Sequence, residues 1–170
     1  MEIWARDIPH LWTILGKEFS GARRSAVEAK DLIDTISADI EQHTASVCTT
    51  CNSVCCINRH SRHDRSDIIF LTALGMEVPE DLSGRDETAP CRFLGSSGCV
   101  LERFRRPYRC TWYFCTPLLD HIAETAGAAG YRKFLAGLQK ITEKRTAMIH
   151  GFETAAADFL CPGGQGRPAK

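Results

Sequence analysis

The sequence predicts a mainly α fold in which long N- and C-terminal helices flank an irregular, cysteine-rich core. Apolar residues recur at helical spacing towards both ends of the chain, and the segment between them holds eight of the nine cysteines with little periodicity. The chain has 170 residues, of which 44% are hydrophobic and 25% are charged. This size and composition predict a single domain over residues 1–160, followed by a disordered tail over residues 161–170 that is rich in glycine and proline.

Residues 1–47 are predicted to be helical. One face of the helix carries an apolar stripe at steps of three, four or seven residues, formed by Ala22, Ala26, Ala29, Ile33, Ile36, Ile40 and Val47. A shorter apolar segment precedes this stripe, and Gly16 and Gly21 are candidate interruptions between the two. The stripe suits packing against the rest of the domain, and it also suits the seam of a homodimer.

The central region, residues 48–117, is predicted to be irregular apart from one short helix and one turn. Ser66 is placed to cap a helix that stops at Gly75. A tight turn or small hairpin is expected around Gly95 and Gly98, because glycine supplies backbone angles that other residues avoid.

A second long helix is predicted over residues 128–159. Its apolar residues keep steps of three or four and are interrupted at Arg145; they are Tyr131, Leu135, Leu138, Ile141, Met148, Phe152, Ala155 and Phe159. Gly151 lies in the middle of this helix, where glycine is about 1 kcal/mol less favourable than alanine, so a bend is allowed there.

Charge and hydropathy argue against several classes of protein. The chain has 21 basic and 21 acidic residues, so it lacks the positive surplus expected of a general binder of nucleic acid or of anionic membranes. No apolar run approaches the roughly 20 residues that a membrane helix needs. The N-terminus also lacks the basic and then apolar pattern of a signal peptide, so a cytoplasmic protein is expected.

The cysteines carry the strongest functional signal. Their spacing is C-x2-C-x3-C-C and then C-x7-C-x10-C-x4-C, formed by Cys48, Cys51, Cys55, Cys56, Cys91, Cys99, Cys110 and Cys115. A C-x2-C pair lets both sulfurs face one tetrahedral ion or cluster iron, so all eight are candidate metal ligands. Adjacent Cys55 and Cys56 direct their side chains apart in most conformations, so they suit two centres or the edge of one. Disulfides are the alternative, but a reducing cytosol and an odd cysteine total argue against them.

The same segments resemble the YkgJ-like cysteine-cluster family, which is described as zinc- or iron-chelating. The family signature is roughly CxxCxxCC, PCxFL, GCxIY and RPxxCRxF, and this chain is similar to it at residues 48–56, 90–94, 98–101 and 106–110. The departures are one extra residue between Cys51 and Cys55, Leu101-Glu102 in place of Ile-Tyr, and Thr111 in place of Arg. The resemblance covers about residues 48–114, and it implies bound zinc or iron without implying a reaction.

The residue types leave the metal open, because thiolates bind both zinc and iron–sulfur centres. The wide spacing of the last four cysteines suits a zinc ribbon poorly, so an iron–sulfur cluster is favoured and zinc is the alternative. Trp112, Tyr113 and Phe114 either shield such a centre from water or belong to the core. His60 and His63 are further candidate ligands, although their very polar surroundings are typical of a solvated loop.

Arginine is concentrated in the cysteine region, which holds nine of the 15 arginines and none of the six lysines. The arginines that suit neutralisation of an anionic thiolate centre are Arg92, Arg103, Arg105, Arg106 and Arg109. An exposed patch for phosphate or nucleic acid is the alternative, but acidic residues are interspersed there. Cys161 lies apart from the other cysteines and is not an expected ligand.

These patterns predict a metalloprotein with an iron–sulfur centre and a role in redox chemistry or electron transfer. The alternative is a zinc-stabilised structural or interaction module, in which the long helices bind an unknown protein partner. No Ser-His-Asp set, carboxylate pair or phosphate-binding loop is recognisable, so the sequence leaves open whether the protein is an enzyme.

Overall fold

A computed structural model describes residues 5–79 and 84–160 and confirms the mainly helical fold. The helices are α1 (Ile8–Ile14), α2 (Ser20–Val47), α3 (Arg65–Ala73), α4 (Arg109–Trp112) and α5 (Thr116–Leu160). Two short strands, β1 (Leu94–Gly95) and β2 (Gly98–Cys99), form an antiparallel hairpin. Further 3₁₀ turns cover Ala5–Asp7, Cys48–Thr50, Asn58–His60 and Arg103–Arg105. The predicted tail and Cys161 lie outside the described residues.

The break between α1 and α2 lies at Gly16 rather than at Gly21. Helix α1 ends one residue before Leu15, and the chain turns through Phe19 before α2 begins. Both Leu15 and Phe19 are buried, so the turn is held by apolar packing as well as by the Phe19 N–H bond to the Leu15 carbonyl at 3.2 Å. Gly21 lies within the first turn of α2.

Helices α2 and α5 pack antiparallel and form the main part of the core. The predicted stripe of α2 is mostly buried, and it faces Ile141, Met148, Phe152 and Ala156 of α5. A Cβ added at Gly151 would lie 3.6 Å from that of Ala22, so small residues let the two backbones approach closely. The stripe therefore packs within the chain. Gly151 has helical backbone angles, and its packing against α2 explains a glycine there without a bend.

Helix α5 begins twelve residues earlier than predicted, at Thr116 instead of 128. Its backbone is interrupted at Gly127, whose φ of 65° and ψ of 174° suit glycine alone, so the predicted helix corresponds to the part after this residue. The predicted stripe is also wrong at two positions, because Leu135 and Phe159 are exposed.

Arg145, which interrupts the predicted stripe, is in fact buried on the same face. Its Nη2 lies 2.7 Å from Oδ1 of Asp67 on α3, and its guanidinium stacks over the rings of Phe70 and Tyr108. Burial raises the pKa of Asp67, and the charge of Arg145 opposes that rise. A charged residue is tolerated in this core because α3 supplies its counter-ion.

Helix α3 is capped by Asp64, not by Ser66. The Asp64 carboxylate accepts the backbone N–H of Asp67 at 2.9 Å, and the Asp67 carboxylate accepts that of Asp64 at 3.2 Å. The Ser66 hydroxyl instead donates to Asp64. This reciprocal cap places the helix start one residue before Ser66. The predicted stop is confirmed, since Gly75 follows the helix with a φ of 71°.

The core cluster is built almost entirely by α1, α2, α3 and α5. Among the described residues of 48–115, Phe104 is the only buried residue of this cluster outside α3. Its ring packs beneath Lys30 of α2. The ring of Tyr108 is partly buried against the cluster. Its hydroxyl and that of Thr142 are joined by a hydrogen bond of 2.7 Å. Across residues 5–79 and 84–160, none of the helices combines the length and apolar character needed to cross a membrane.

Candidate metal centre

The cysteine region connects the end of α2 to the start of α5. Cys48 is the C-cap residue of α2. The Cys115 carbonyl accepts hydrogen bonds from the N–H groups of Leu118 and Leu119 in the first turn of α5, at 3.0 Å each. The rings of His43 and His121 lie 5.4 Å apart, one turn or more inside each helix. Because α2 and α5 are antiparallel, Cys48 and Cys115 lie at the same end of the helix pair.

A second pairing of backbone segments brings Cys56 beside Cys91. The Cys91 N–H donates to the Cys56 carbonyl at 2.9 Å, next to an antiparallel bridge between Ile57 and Pro90. Asn58 extends this pairing, because its side chain accepts the N–H of Arg92 at 3.0 Å. Two stretches far apart in sequence are thereby joined at their cysteines.

The expected hairpin is confirmed and positions Cys99. In the hairpin, Leu94 pairs with Cys99 and Gly95 pairs with Gly98. The Leu94 N–H donates a hydrogen bond to the Cys91 carbonyl at 2.8 Å. Gly98 has a φ of 117°, as expected for glycine in such a turn. Gly95 does not have a positive φ; a side chain there would approach Val100 at 3.1 Å. The hairpin therefore holds Cys91 and Cys99 on one short unit.

The eight predicted ligands are free thiols, of which Cys48, Cys55 and Cys56 are exposed and the others half-buried. A hydrogen bond between the two adjacent thiols lowers the pKa of Cys55 to about 6 and raises that of Cys56. Burial raises the pKa of Cys110 to about 11. Within residues 5–79 and 84–160, no three His, Cys, Asp or Glu side chains converge closely enough to hold a metal ion. The backbone thus collects the thiols in one region without closing a ligand cage.

The surroundings of Cys110 suit an anionic group. Arg103 is buried; it donates to the Cys110 carbonyl at 2.9 Å and to Glu41 of α2 at 2.7 Å. Arg106 lies 2.9 Å from the same Glu41 oxygen. The Nε atoms of Arg103 and Arg105 are buried without a hydrogen-bond partner among the described residues. A thiolate would accept a hydrogen bond from such a donor, and the charges of Arg103 and Arg106 favour the anionic form of Cys110, so the donor set fits a thiolate-bound metal.

The other predicted arginines and aromatic residues lie around this region in different roles. The Arg109 guanidinium stacks over Tyr113 at 4.5 Å and over Trp112 at 5.8 Å, and Arg92 stacks over the ring of Phe93 at 4.2 Å. Trp112 and Tyr113 are exposed by 47% and 39%, so they are not ordinary core residues.

The two histidines bind backbone carbonyls. His60 Nδ1 lies 2.9 Å from the Cys55 carbonyl, and His63 Nε2 lies 2.9 Å from the Arg105 carbonyl. Both contacts support loops next to cysteines, so these residues position the region. Glu41 was not singled out in the sequence, because an acidic residue on the polar face of a helix gives no sign of a distant arginine partner.

The resemblance to the YkgJ-like family depends on the short motifs around the cysteines alone. Zinc and iron both remain compatible with the donor set, since soft thiolates suit either. Compared as a whole, the chain matches no family model, no curated protein and no solved structure.

Proposed function

We propose that the protein is a cysteine-cluster metalloprotein that binds an iron–sulfur centre and takes part in electron transfer. The observation that carries the proposal is that eight free thiols lie in the one segment that joins the end of α2 to the start of α5. Three of these thiols are exposed, so a centre bound here lies near the surface. Electron transfer to another protein requires such a position, because the rate falls with distance.

The chain's own residues would hold and tune the centre in distinct ways. The cysteines would bind iron, and Arg103 and Arg106 would offset the negative charge of the thiolates. When bound, the cluster supplies a one-electron carrier whose potential depends on nearby charges and on exposure to water. We further propose a cytoplasmic location, where thiols stay reduced, and a redox protein as the partner.

A zinc-stabilised module is the second candidate, and one observation favours it. Outside α3, the described residues of the cysteine region contribute little to the apolar core, so these loops lack the usual means of folding. A structural zinc ion supplies that folding energy directly. In this case the metal would hold the loops, and the helices would offer the surface for a protein partner.

Metal and sulfide analysis of protein purified without air distinguishes the two candidates. We expect iron, acid-labile sulfide and a brown visible spectrum in the wild type. Cys110→Ser should lose a large part of the iron, whereas Cys161→Ser, a matched control outside the cluster, should keep it. Zinc without sulfide would replace the first proposal by the second, and a metal-free protein would overturn both.

A further inference from the structure

We propose that the eight thiols form two separate metal centres of four thiols each. The helix-end group consists of Cys48, Cys51, Cys55 and Cys115. The hairpin group consists of Cys56, Cys91, Cys99 and Cys110. This inference rests on the proposed function, because it assumes that the cysteines bind metal, and it adds the number of centres and the ligands of each.

The helix-end group is brought together by the ends of the two long helices. Cys48 ends α2, and a 3₁₀ turn returns the Cys51 N–H to the Cys48 carbonyl at 3.3 Å. Cys115 precedes α5 at the same end of the antiparallel pair. The Cys48 thiol interacts electrostatically with those of Cys55, Cys115 and Cys51.

The hairpin group is brought together by backbone pairing between distant segments. Cys91 is hydrogen-bonded to Cys56, and the β1–β2 hairpin holds Cys99 near Cys91. Arg103 fixes the carbonyl of Cys110. The Cys110 thiol interacts electrostatically with those of Cys99 and Cys91. The Cys56 thiol interacts most strongly with that of Cys55, its neighbour in sequence, and then with those of Cys110 and Cys91.

The division falls between Cys55 and Cys56. The Cys55 carbonyl is held within its own loop, by the N–H of Ile57 at 3.0 Å and by His60 at 2.9 Å. The Cys56 carbonyl is instead held by Cys91. The backbones of these neighbours are thus tied to different parts of the structure. Their thiols hydrogen-bond to each other, so two centres require that bonds to metal replace this contact.

Each group has the four thiols that a tetrahedral site needs, which metal binding would have to draw together, and the charge environments of the two groups differ. Four thiolates suit one zinc ion or one small iron–sulfur cluster. The hairpin group lies beside the buried Arg103, whose unpartnered Nε can donate to a thiolate, and beside Arg106. Two of the three exposed thiols, Cys48 and Cys55, belong to the helix-end group, whereas the hairpin group has one, Cys56. The hairpin centre is therefore expected to retain its metal longer against a chelator.

Double variants with equal numbers of substitutions test the division. Two of them, C51S/C115S and C91S/C110S, each alter one group, whereas C51S/C91S alters both. In protein purified without air, each within-group variant should keep about half of the wild-type metal. The cross-group variant should retain less than either, because both centres have lost a ligand. Equal and complete metal loss in all three variants would overturn the division, since it indicates one shared centre.

A Co²⁺ titration of the metal-free protein supplies a second readout. The wild type and Cys161→Ser should bind two equivalents with a four-thiolate spectrum, and each within-group variant should bind one equivalent with that spectrum. The cross-group variant should show no four-thiolate site. If the wild type binds one equivalent of Co²⁺, only the division into two centres is overturned. If it binds no metal, the proposed function is overturned as well. Circular dichroism of each variant checks that the helices remain folded.

Discussion

The α2–α5 pair and the cysteine region between these helices are built from opposite kinds of contact. The helix pair buries a continuous apolar face that includes Ile33, Ile141 and Phe152. The cysteine region is held by backbone hydrogen bonds, by the Asn58 side chain and by arginine contacts, and its Val54 and Val100 are exposed. Hydrophobic burial stabilises the first. Outside α3 the second has little of it, and bound metal would supply the missing stability.

The two parts meet at residues 103–108. Phe104 and Tyr108 pack against the helices, while Arg103 connects Glu41 of α2 to the Cys110 carbonyl. This junction allows each part to be perturbed separately, because the candidate metal ligands lie on one side and the core on the other.

Metal removal should give the largest effect, and it should be confined to the cysteine region. Structural zinc in small domains contributes about 10–16 kcal/mol of apparent binding free energy, which the few apolar contacts here cannot replace. We expect limited proteolysis to cut within residues 48–64 and 84–102 after metal is stripped, while circular dichroism retains most of the helical signal. Unchanged proteolysis after complete metal loss would contradict this expectation.

Arg145→Met should destabilise the helical part instead. It leaves the Asp67 carboxylate buried without its counter-ion, and breaking a buried pair in this way costs about 3–5 kcal/mol. Urea unfolding followed by circular dichroism measures the loss. Lys144→Met is the matched control, because its ion pair with Glu28 is exposed and contributes about 0–1 kcal/mol. Equal effects of the two substitutions would show that the buried pair does not hold α3 in place.

Gly127→Ala should have a smaller effect that arises from the backbone alone. The residue has φ and ψ angles open almost only to glycine, and an added Cβ would meet no atom within 4 Å. We expect a loss of about 1–3 kcal/mol in the free energy of unfolding. Gly21→Ala, in the first turn of α2 and equally unobstructed, should instead be neutral or stabilise the protein by about 0.5–1 kcal/mol. A neutral result at position 127 would mean that the helix runs through it.

Glu41→Gln should have the smallest effect on stability, about 1 kcal/mol, because the amide keeps one acceptor for the arginines. Its effect on the cysteine region should be clearer, since the loss of charge loosens Arg103 and with it α4, where Cys110 lies. We expect faster transfer of metal to a chelator than in wild type. Glu28→Gln, on the same helix but paired with Lys144, should leave that rate unchanged. The junction has no role in metal retention if both variants behave alike.

Helical periodicity predicted the long helices because apolar residues recur at regular steps on their buried faces. It missed the start of α5, where Leu118 and Ile122 provide a single buried pair. It also treated Arg145 as an interruption, because the partner that makes its burial acceptable lies 78 residues away. Local patterns carry no information about such a distant counter-ion.

The candidate site shows the same limit. Clustering of cysteines in the sequence identified the region, and the adjacent pair Cys55-Cys56 already suggested two centres as one option. The assignment of each thiol to a group needed the pairing of Cys56 with Cys91 and the meeting of the helix ends. Which thiols come together depends on tertiary contacts that local sequence patterns do not reveal. The position of Glu41 beside Arg103 and Arg106 depends on such contacts too.

Native mass spectrometry of the full chain, isolated without air, tests the central claim most directly. Metal holds the cysteine region together in this account, so the folded protein should carry a mass excess equal to bound iron and sulfide, or to zinc in the alternative. The excess should disappear on acid denaturation. A folded protein with the mass of the bare chain, eight titratable thiols and a protease-resistant cysteine region would contradict the account.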